Sequence, residues 1–480
     1  MTNPDDRPVY HFTPPAGWLN DPNGLVYYEG EYHLFYQADP DTMTGTKKAW
    51  GHAVSADLVA WEHLPIALAP DELGSIYSGS AVVDWQDSSG FFGGGHGLVA
   101  IFTHSLNRVQ RQSIACSTDR GRTWTKYAAN PVIADPGFVD FRDPKVFWHA
   151  PTERWVMILA ARDRVLFYVS DNLREWTLAS EFGADQGSHA GVWECPDLLA
   201  LPVTGTGGGN ATDQATQWMM VVSINGAGGS AMQYFLGSFD GTIFTNANPA
   251  DTILWADYGR DNYAAVSWSD VPTADGRVIW IGWMSNWKYA RFTPTDGWRG
   301  AMTIPRALSL TEIAGETRLV QTPVAELRGV RGEGQHWANA TFAPGTHVLQ
   351  TATGPAYEVV AEIHAGTAIG FAFAVRAGDD AQTVIGYGVN TATLFVDRTR
   401  SGNTEFSPDF AGRQDAPLQT ADGTVRLHIF VDTCSVEVFG GSGEAVITDL
   451  IFPSRLSRGL ALEVTGGTIT IASLAVYPLG

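Results

Sequence analysis

Short apolar runs separated by polar, turn-forming residues dominate the first 300 residues of the chain. Runs at 98–102, 155–160, 218–223 and 278–283 alternate with segments rich in Gly, Pro, Asn and Asp. None of these runs keeps the helical period of about 3.6 residues, so the pattern predicts β-strands joined by tight turns. The aromatic runs on either side of the Glu-Gly pair at 29–30 predict a β-hairpin.

A turn signature recurs along the same part of the chain: Ser, then Asp within two residues, then an aromatic residue. It occurs at 55–61, 117–124, 170–176 and 238–244, with a spacing of roughly 60 residues. All-β units repeated at this period are typical of the blades of a β-propeller. With the last apolar stretch, 263–309, the four signatures predict five blades. An irregular β-sandwich with similar hairpins is the alternative.

The residue pattern changes after residue 320. The segment 322–329 begins with a Thr-Pro pair and ends with Gly, which predicts a linker helix of one or two turns with Pro at its first position. Beyond it, apolar and polar residues alternate more cleanly, as at 425–431 and 435–439, which predicts a β-sandwich. We therefore expect an all-β protein with a five-bladed β-propeller catalytic domain at 1–320, a linker with a short helix at 321–334 and a β-sandwich domain at 335–480.

Composition and charge narrow the classes of function. The chain has 480 residues, is 44% hydrophobic and carries 17 Trp and 52 Gly, as expected of a large folded protein built from strands and turns. Its formal net charge is −21 and it has no Lys/Arg-rich run, so nucleic acid is not expected as a partner. Abundant tryptophan in an acidic protein favours a carbohydrate partner instead, because sugar rings present apolar C–H faces to indole rings.

The remaining composition argues against several other classes. The three cysteines are far apart and the twelve histidines form no helical His pair, so we expect neither a disulfide framework nor a metal or other cofactor. No apolar stretch is long enough to predict a membrane-spanning helix. The polar N-terminus shows no secretory leader, which predicts a cytoplasmic protein. The alternative is a secreted protein whose leader has been replaced by a start methionine. The oligomeric state is left open.

Three carboxylates stand out by the residues around them. Asp21 lies in Trp-Leu-Asn-Asp-Pro-Asn-Gly at 18–24, where Pro and Gly predict a tight turn that presents the carboxylate. Asp143 lies in Phe-Arg-Asp-Pro, and Glu194 lies in Trp-Glu-Cys-Pro-Asp. Each of the three falls in a different predicted blade, so the strands of a propeller would bring them together in one central funnel.

A trio of this kind suits cleavage of a glycosidic bond with retention. One carboxylate attacks the anomeric carbon, a second carboxyl group protonates the leaving oxygen, and water then hydrolyses the glycosyl-enzyme. The adjacent Arg142 predicts an ionised Asp143, whereas apolar neighbours and a nearby carboxylate predict a raised pKa for Glu194. The alternative is structural, with an Arg142–Asp143 ion pair and Glu194 in a turn. Cys195 has no supporting His motif and is expected to be a packed free cysteine.

These segments belong to a longer series of short motifs. In chain order the series comprises Trp-Leu-Asn-Asp-Pro-Asn-Gly at 18–24, Tyr-Ser-Gly-Ser at 77–80, Phe-Arg-Asp-Pro at 141–144, Glu-Cys-Pro-Asp at 194–197, Asp-Asn-Tyr-Ala-Ala at 261–265, Gly-Trp-Met-Ser-Asn-Trp at 282–287, Trp-Arg-Gly-Ala-Met-Thr-Ile-Pro-Arg at 298–306 and Ser-Val-Glu-Val-Phe at 435–439. The series resembles the family 32 glycoside hydrolases, which comprise invertases, exo-inulinases and levanases. The resemblance covers nearly the whole chain.

The resemblance implies a role for each matched residue. Asp21 is implied as the nucleophile, Glu194 as the general acid/base and Asp143 as a transition-state stabiliser that binds fructosyl hydroxyls. The subsite for the terminal fructose is implied to be lined by Asn20, Gln37, Trp50, Tyr77, Ser78, Arg142, Asp261, Tyr263 and Trp287. Retention predicts a separation of about 5–5.5 Å between the carboxyl groups of Asp21 and Glu194.

The function implied by the resemblance is that of a retaining exo-β-fructosidase. Its expected partner is an oligo- or polysaccharide: it would release terminal fructose from fructans such as levan or inulin, and from sucrose. One alternative is a fructosyltransferase that uses the same covalent intermediate, and another is a non-catalytic propeller that binds fructan. The preferred linkage is expected to depend on rim loops around the funnel, for which 42–48, 88–97 and 204–215 are the candidates.

Overall fold

The computed structural model describes residues 7–204, 216–349, 354–379, 381–420 and 422–480, and its regular structure is almost entirely β-strand. In each of the first three sheets, four strands that follow one another in the chain pair antiparallel. The first sheet contains β1 (Gly17–Tyr28), β2 (Glu31–Asp39), β3 (Ala49–Ser55) and β4 (Glu62–Leu68); the second contains β5 (Ser75–Asp84), β6 (Gly97–Leu106), β7 (Val109–Ser117) and β8 (Thr125–Lys126); the third contains β9 (Phe141–His149), β10 (Arg154–Ala161), β11 (Val165–Ser170) and β12 (Thr177–Phe182).

A fourth, nine-stranded sheet consists of two antiparallel groups. The first group contains β13 (Gly191–Thr204), β14 (Thr216–Gly226), β15 (Gly229–Phe239), β16 (Phe244–Asn246) and β17 (Leu254–Trp255); the second contains β18 (Tyr263–Ser267), β19 (Val278–Trp283), β21 (Arg306–Ile313) and β22 (Glu316–Pro323). The groups join where β13 and β21 run parallel for two residue pairs. The remaining strand, β20 (Trp298–Arg299), pairs in parallel with β1 in the first sheet.

Five strands, β1, β5, β9, β13 and β18, contact one another in a closed ring and are called the inner strands below. Each carries a bulge at which two of its residues oppose one residue of the neighbouring strand. The two bulge residues are Asn20 and Asp21 in β1, Tyr77 and Ser78 in β5, Asp143 and Pro144 in β9, Cys195 and Pro196 in β13, and Ala264 and Ala265 in β18. Because a bulge bends the strand and re-aims its side chains, the ring is bent at the residues that the motifs contain.

The predicted tight turn around Asp21 is wrong, because the motif lies inside strand β1. Its Pro22 is accommodated next to the bulge, where the ladder of hydrogen bonds is already interrupted. Gly24 has a φ of +58°, and a Cβ atom there would lie 2.7 Å from the rings of Phe35 and Trp50. The Pro and Gly therefore serve a bulged strand rather than a turn.

The repeated turn signature does have a shared structure. In its first copy Asp57 accepts hydrogen bonds from the backbone N–H groups of Val59 and Ala60. The Trp61 indole donates to the backbone carbonyl of Leu58. The copy at 117–124 repeats this indole bond. In the third copy Asn172, rather than the predicted Asp171, is the acceptor. Each signature therefore closes a hairpin by side-chain bonds to its own backbone.

The C-terminal part contains two six-stranded sheets that face each other across one apolar core. The first sheet contains β23 (Gln335–Phe342), β25 (Tyr357–His364), β30 (Thr424–Val431), β31 (Ser435–Gly440), β32 (Ala445–Leu450) and β34 (Ile469–Pro478); the second contains β24 (Gly345–Val348), β26 (Gly370–Ala377), β27 (Gln382–Gly388), β28 (Thr393–Arg400), β29 (Arg413–Pro417) and β33 (Gly459–Thr465). The strands predicted at 425–431 and 435–439 are confirmed.

The helical segments that the structure describes are short 3₁₀ helices at Ala150–Thr152, Ala290–Phe292 and Ala325–Val330. The last one starts later than the predicted linker helix, because the Thr-Pro pair at 322–323 is still paired with β21. No helix within the described ranges is long and apolar enough to cross a bilayer.

A buried ionic network joins the N-terminal sheets to the C-terminal pair of sheets. His11 lies between Asp432, at 2.7 Å, and Glu437, at 2.8 Å. Arg306 on β21 pairs with the same Glu437 and with Asp257. Since all five side chains are buried, each charge is compensated inside the protein, and removal of one partner leaves another unpaired.

Candidate active site

A cavity of about 930 Å³ contains the three predicted carboxylates, Asp21, Asp143 and Glu194, and is called the carboxylate cavity below. It lies at the N-terminal halves of inner strands β1, β5, β9 and β13. The predicted binding residues that also line it are Asn20, Gln37, Tyr77, Ser78, Arg142 and Trp287. The ring of inner strands therefore brings together residues from four separate sequence motifs.

Both oxygens of Asp21 are held by hydrogen bonds. Asn20 Nδ2 donates to Oδ1 at 2.8 Å, and Ser78 Oγ donates to Oδ2 at 2.7 Å. Asn20 is itself oriented, because its Oδ1 accepts bonds from Trp18 Nε1, at 2.6 Å, and from Lys48 Nζ. The Asp21 carboxylate is thus kept in one orientation towards the cavity, which suits a nucleophile.

Cys195 lies between two of the carboxylates. Its Sγ is 3.5 Å from Asp143 Oδ2 and 3.8 Å from Asp21 Oδ2, and its backbone N–H donates to Asp143 Oδ2 at 3.0 Å. Both Cys195 and Asp143 have positive φ, +45° and +65°, a strained conformation for side-chain-bearing residues that is concentrated at functional sites. Burial raises the pKa of Cys195, so it remains a protonated thiol, and the predicted packed free cysteine is confirmed.

Glu194 is held from two sides. Its Oε1 accepts bonds from Arg142 Nε, at 3.1 Å, and Nη2, at 2.9 Å, while the Tyr263 hydroxyl donates to Oε2. Arg142 also pairs with Asp140, which no sequence motif singled out. Tyr263 is not in the lining of the carboxylate cavity. Of the three carboxylates, it forms a hydrogen bond with Glu194 only.

The surroundings of Asp143 favour its ionisation less than its neighbour Arg142 predicts. Burial and the negative charges of Glu194 and Asp21 raise its pKa above the usual range, although the Arg142 charge opposes this. The Arg142 guanidinium bonds Glu194 and stays 4.0 Å from Asp143, so the neighbour in sequence is not its main partner. A carboxyl group whose pKa is raised in this way keeps its proton to a higher pH than an isolated aspartic acid does.

The indole of Trp287 lines one side of the cavity and packs against two buried indoles. Trp287 lies stacked on Trp18, with ring centroids 5.9 Å apart, and its ring is 4.7 Å from that of Trp283. Lys48 Nζ lies 5.5 Å from the Trp287 ring centroid, and burial lowers the pKa of this lysine to about 8. Arg291, which also borders Trp287, lies outside every motif, and Lys48 was included only as the last residue of the predicted rim loop 42–48.

Two further predicted binding residues lie behind the cavity. Trp50 is fully buried and donates its indole N–H to the backbone oxygen of Tyr77 at 2.9 Å. Asp261 is also fully buried, accepts a bond from the Tyr289 hydroxyl at 2.6 Å and pairs with Arg398 of β28. The structure therefore places Asp261 at the junction with the C-terminal sheets rather than in the cavity lining.

The predicted rim loops have different positions. In 42–48, Gly45 and Lys48 line the carboxylate cavity. In 88–97, Ser88 lies on a separate cavity. Most of 204–215 lies outside the described residues. The lining also includes parts of two loops that were not predicted, around Arg108 and around Phe138.

The arrangement is suited to cleaving a glycosidic bond. It combines an oriented carboxylate, a second carboxyl group bonded to Arg and Tyr, and an aromatic surface against which a sugar can lie. Within the part of the chain that the structure describes, no group of three or more His, Cys, Asp or Glu side chains is arranged to hold a metal ion. The fold and the site define an all-β glycoside hydrolase that works with carboxyl groups.

Comparison with family models agrees with this class. Residues 11–323 match the glycosyl hydrolases family 32 N-terminal domain, and residues 324–478 match the glycosyl hydrolases family 32 C terminal. The chain belongs to glycosyl hydrolase family 32, as the motifs predicted.

Three relatives match nearly the whole chain. A levanase from Bacillus subtilis (strain 168) is 56% identical over 99% of this chain and 70% of the relative. A levanase from Bacillus sp. (strain L7) is 42% identical over 98% of this chain, which spans 52% of that relative. An extracellular exo-inulinase from Aspergillus awamori is 40% identical over 98% of this chain and 94% of the relative.

Two solved structures share the fold. The exo-inulinase from Aspergillus awamori superposes with a TM-score of 0.91 at 38% identity, covering 100% of this chain and 99% of that chain. A fructofuranosidase from Schwanniomyces occidentalis complexed with fructosylnystose superposes with a TM-score of 0.90 at 28% identity, with the same coverage.

Proposed function

We propose that the protein is a retaining exo-β-fructosidase that releases terminal β-D-fructofuranosyl residues from fructans such as levan and inulin, and from sucrose. The observation that carries this proposal is the placement of Asp21 and Glu194 in one cavity beside the indole of Trp287. The similarity to proteins named levanase and exo-inulinase supports the choice of sugar.

In the proposed first step, Asp21 attacks the anomeric carbon of the terminal fructose while Glu194 gives a proton to the leaving oxygen. The bonds from Asn20 and Ser78 hold the attacking carboxylate in place, so little reorganisation is needed as the covalent bond forms. In the second step Glu194 takes a proton from water, and the water oxygen displaces Asp21 from the sugar.

Substrate binding is proposed to use the remaining polar groups of the lining. Asp143, which lines the cavity beside the Arg142–Glu194 pair, would accept hydrogen bonds from fructosyl hydroxyls. Gln37 Nε2 is buried without a hydrogen-bond partner among the described residues, and a sugar hydroxyl would supply one. Trp287 provides an apolar face for the ring.

We also propose that the N-terminal sheets form a five-bladed β-propeller, followed by a linker at 321–334 and a β-sandwich at 335–480. The closed ring of five inner strands and the bulge in each of them support this count. On this view the nine-stranded sheet is two blades joined by the short parallel pairing of β13 and β21.

Fructose release from sucrose, inulin and levan, followed by chromatography and by NMR of the anomer first released, tests the proposed function. We expect fructose from all three substrates, released with retention. Initial release of the inverted anomer would exclude the covalent route. Fructo-oligosaccharides as the main products at high sucrose would show that the protein is a fructosyltransferase instead.

A further inference from the structure

A second cavity, of about 420 Å³, lies at the opposite end of the inner strands. Strands β5, β9 and β13 line the carboxylate cavity with their first residues and the second cavity with later ones, as β9 does with Asp143 and Phe147. We call it the tryptophan cavity, because Trp85, Trp148, Trp155, Trp218 and Trp268 line it.

Three buried polar residues lie on the inner strands between the catalytic residues and this cavity. Lys145 Nζ donates to the backbone oxygen of Ser267 at 2.7 Å and is 3.3 Å from Asp197 Oδ2. Lys145 belongs to β9, Ser267 to β18 and Asp197 to β13, so these contacts join three inner strands. The tryptophan cavity is therefore separate from the carboxylate cavity.

The charges in the tryptophan cavity are already compensated by the protein. Asp84 accepts hydrogen bonds from the backbone N–H and hydroxyl groups of Ser88 and Ser89. Asp270 accepts bonds from a backbone N–H at 3.0 Å and from an indole N–H at 2.9 Å, and Arg277 pairs with two carboxylates. With Lys145 paired as described, the charge pattern is complementary to a neutral ligand.

The indole N–H groups favour a ligand that carries hydroxyl groups. Trp148 and Trp218 are half-buried in the cavity lining, and within the described part of the chain neither has a hydrogen-bond partner for its N–H. A ligand that covered either donor with apolar surface would leave it unpaired, which costs free energy, whereas a polyol would accept a hydrogen bond from it. Apolar faces beside free donors match the C–H faces and hydroxyl groups of a sugar.

Trp85 adds a platform that is exposed but fixed. It is 54% exposed, its N–H donates to Asp270, and its ring is 5.0 Å from that of His96. Because these contacts already restrict the side chain, Trp85 loses little conformational entropy when a ligand stacks on it.

We propose that the tryptophan cavity is a second sugar-binding site, which holds a segment of a neutral fructan chain away from the carboxylate cavity. The identity of the sugar rests on the proposed function. The site binds without cleaving, because Asp84 and Asp197 are fully buried and Asp270 is bonded to a backbone N–H and an indole N–H. It would therefore assist polymeric substrates and have no effect on sucrose.

Isothermal titration calorimetry with 1-kestose tests the proposal in a background with Asp21→Asn, in which the ligand survives. We expect two binding sites in this protein and one after the further change Trp148→Ala, with affinity at the lost site reduced at least about tenfold. The matched control is Trp337→Ala, which removes a half-buried indole from β23 of the C-terminal sheets and should keep both sites. One site before the Trp148 change, or two sites after it, would overturn the proposal.

Kinetics with unaltered catalytic residues provide a second measurement. Trp148→Ala should raise KM for levan about threefold or more and leave KM for sucrose unchanged; equal effects on both substrates would contradict the proposal. Trp148→Phe keeps a ring in place if the alanine variant folds poorly, and should lose part of the affinity with the N–H. Absence of fructose release by the parent enzyme would refute the proposed function, while the calorimetric site count tests the second site separately.

Discussion

Arg142 donates two hydrogen bonds to Glu194 Oε1, at 3.1 and 2.9 Å, although its neighbour in sequence is Asp143, from which it stays 4.0 Å away. The bulge in β9 separates the adjacent side chains, so the guanidinium reaches across to β13. Two inner strands are thereby linked at the carboxyl group that is proposed to protonate the leaving group.

Replacement of this guanidinium should change both rate and pH dependence. We expect Arg142→Gln to lower kcat/KM for sucrose by about 10²- to 10³-fold, because a preorganised cation is lost from the site. The Arg142 charge lowers the pKa of Asp143, so its loss should also move the carboxyl-controlled limbs of the pH profile to higher pH. Arg108→Gln, in the same cavity, is the control and should stay within about threefold of the parent. An unchanged pH profile for the Arg142 variant would contradict this role.

The nucleophile assignment is tested by Asp21→Asn. We expect kcat for sucrose to fall at least about 10³-fold with the fold retained, since an amide cannot form the covalent intermediate. Circular dichroism checks the fold, and fructose release gives the rate. Asp135→Asn changes another acidic residue of the lining and should have little effect. A rate within a few-fold of the parent for Asp21→Asn would rule out the mechanism.

Lys48 should control the alkaline side of the pH profile. Burial lowers its pKa to about 8, against the attraction of Asp21, Asp39 and Glu194 and with the help of Arg291. Above that pH the lysine loses its charge, so the cation that bonds Asn20 beside Asp21 disappears and activity should fall. Lys48→Arg keeps the charge and should extend activity to higher pH, whereas Lys48→Met should be less active and lack this dependence. Identical alkaline limbs in all three proteins would show that Lys48 has no such role.

The His11 network predicts a loss of stability at alkaline pH. Burial alone would lower the pKa of His11, but hydrogen bonds and charges from Asp432 and Glu437 raise it to about 9. Because the folded pKa exceeds the unfolded value of about 6.5, the contribution is complete below pH 6.5 and is lost as pH rises through about 9. It amounts to about 3 kcal/mol. Urea unfolding between pH 6 and 10 measures it; His11→Gln should flatten this dependence and the exposed His336→Gln should not.

Asp261 distinguishes a structural role from a binding role. Its burial against Arg398 predicts that Asp261→Asn lowers the free energy of unfolding by about 3–5 kcal/mol, because a buried cation loses a partner. KM for sucrose should change by less than about twofold in enzyme that remains folded. Asp415→Asn breaks an exposed ion pair with Arg413 and should cost less than about 1 kcal/mol. A large rise in KM without loss of stability would instead place Asp261 in the sugar subsite.

Much of the site could be predicted because its residues occur in short, recognisable segments. Each catalytic carboxylate precedes a proline by one or two residues, and these prolines mark the bulges of β1, β9 and β13. At Asp21 the same pattern predicts a turn, since Pro and Gly are far commoner in turns than in bulged strands. Lys48 lies in the predicted rim loop 42–48 but in no motif, so the sequence assigns it no role.

The sequence by itself determined the strand pattern, the change in residue pattern after residue 320, the family and the three carboxylates. Each of these depends on residues close together in the chain. Only the tertiary structure decided that Arg142 bonds Glu194, that Asp261 pairs with Arg398 and that five tryptophans share one cavity. These contacts join residues that are distant in sequence and arise when the inner strands close into a ring. Burial within that ring also raises the pKa of Asp143, an effect that its neighbours in sequence do not reveal.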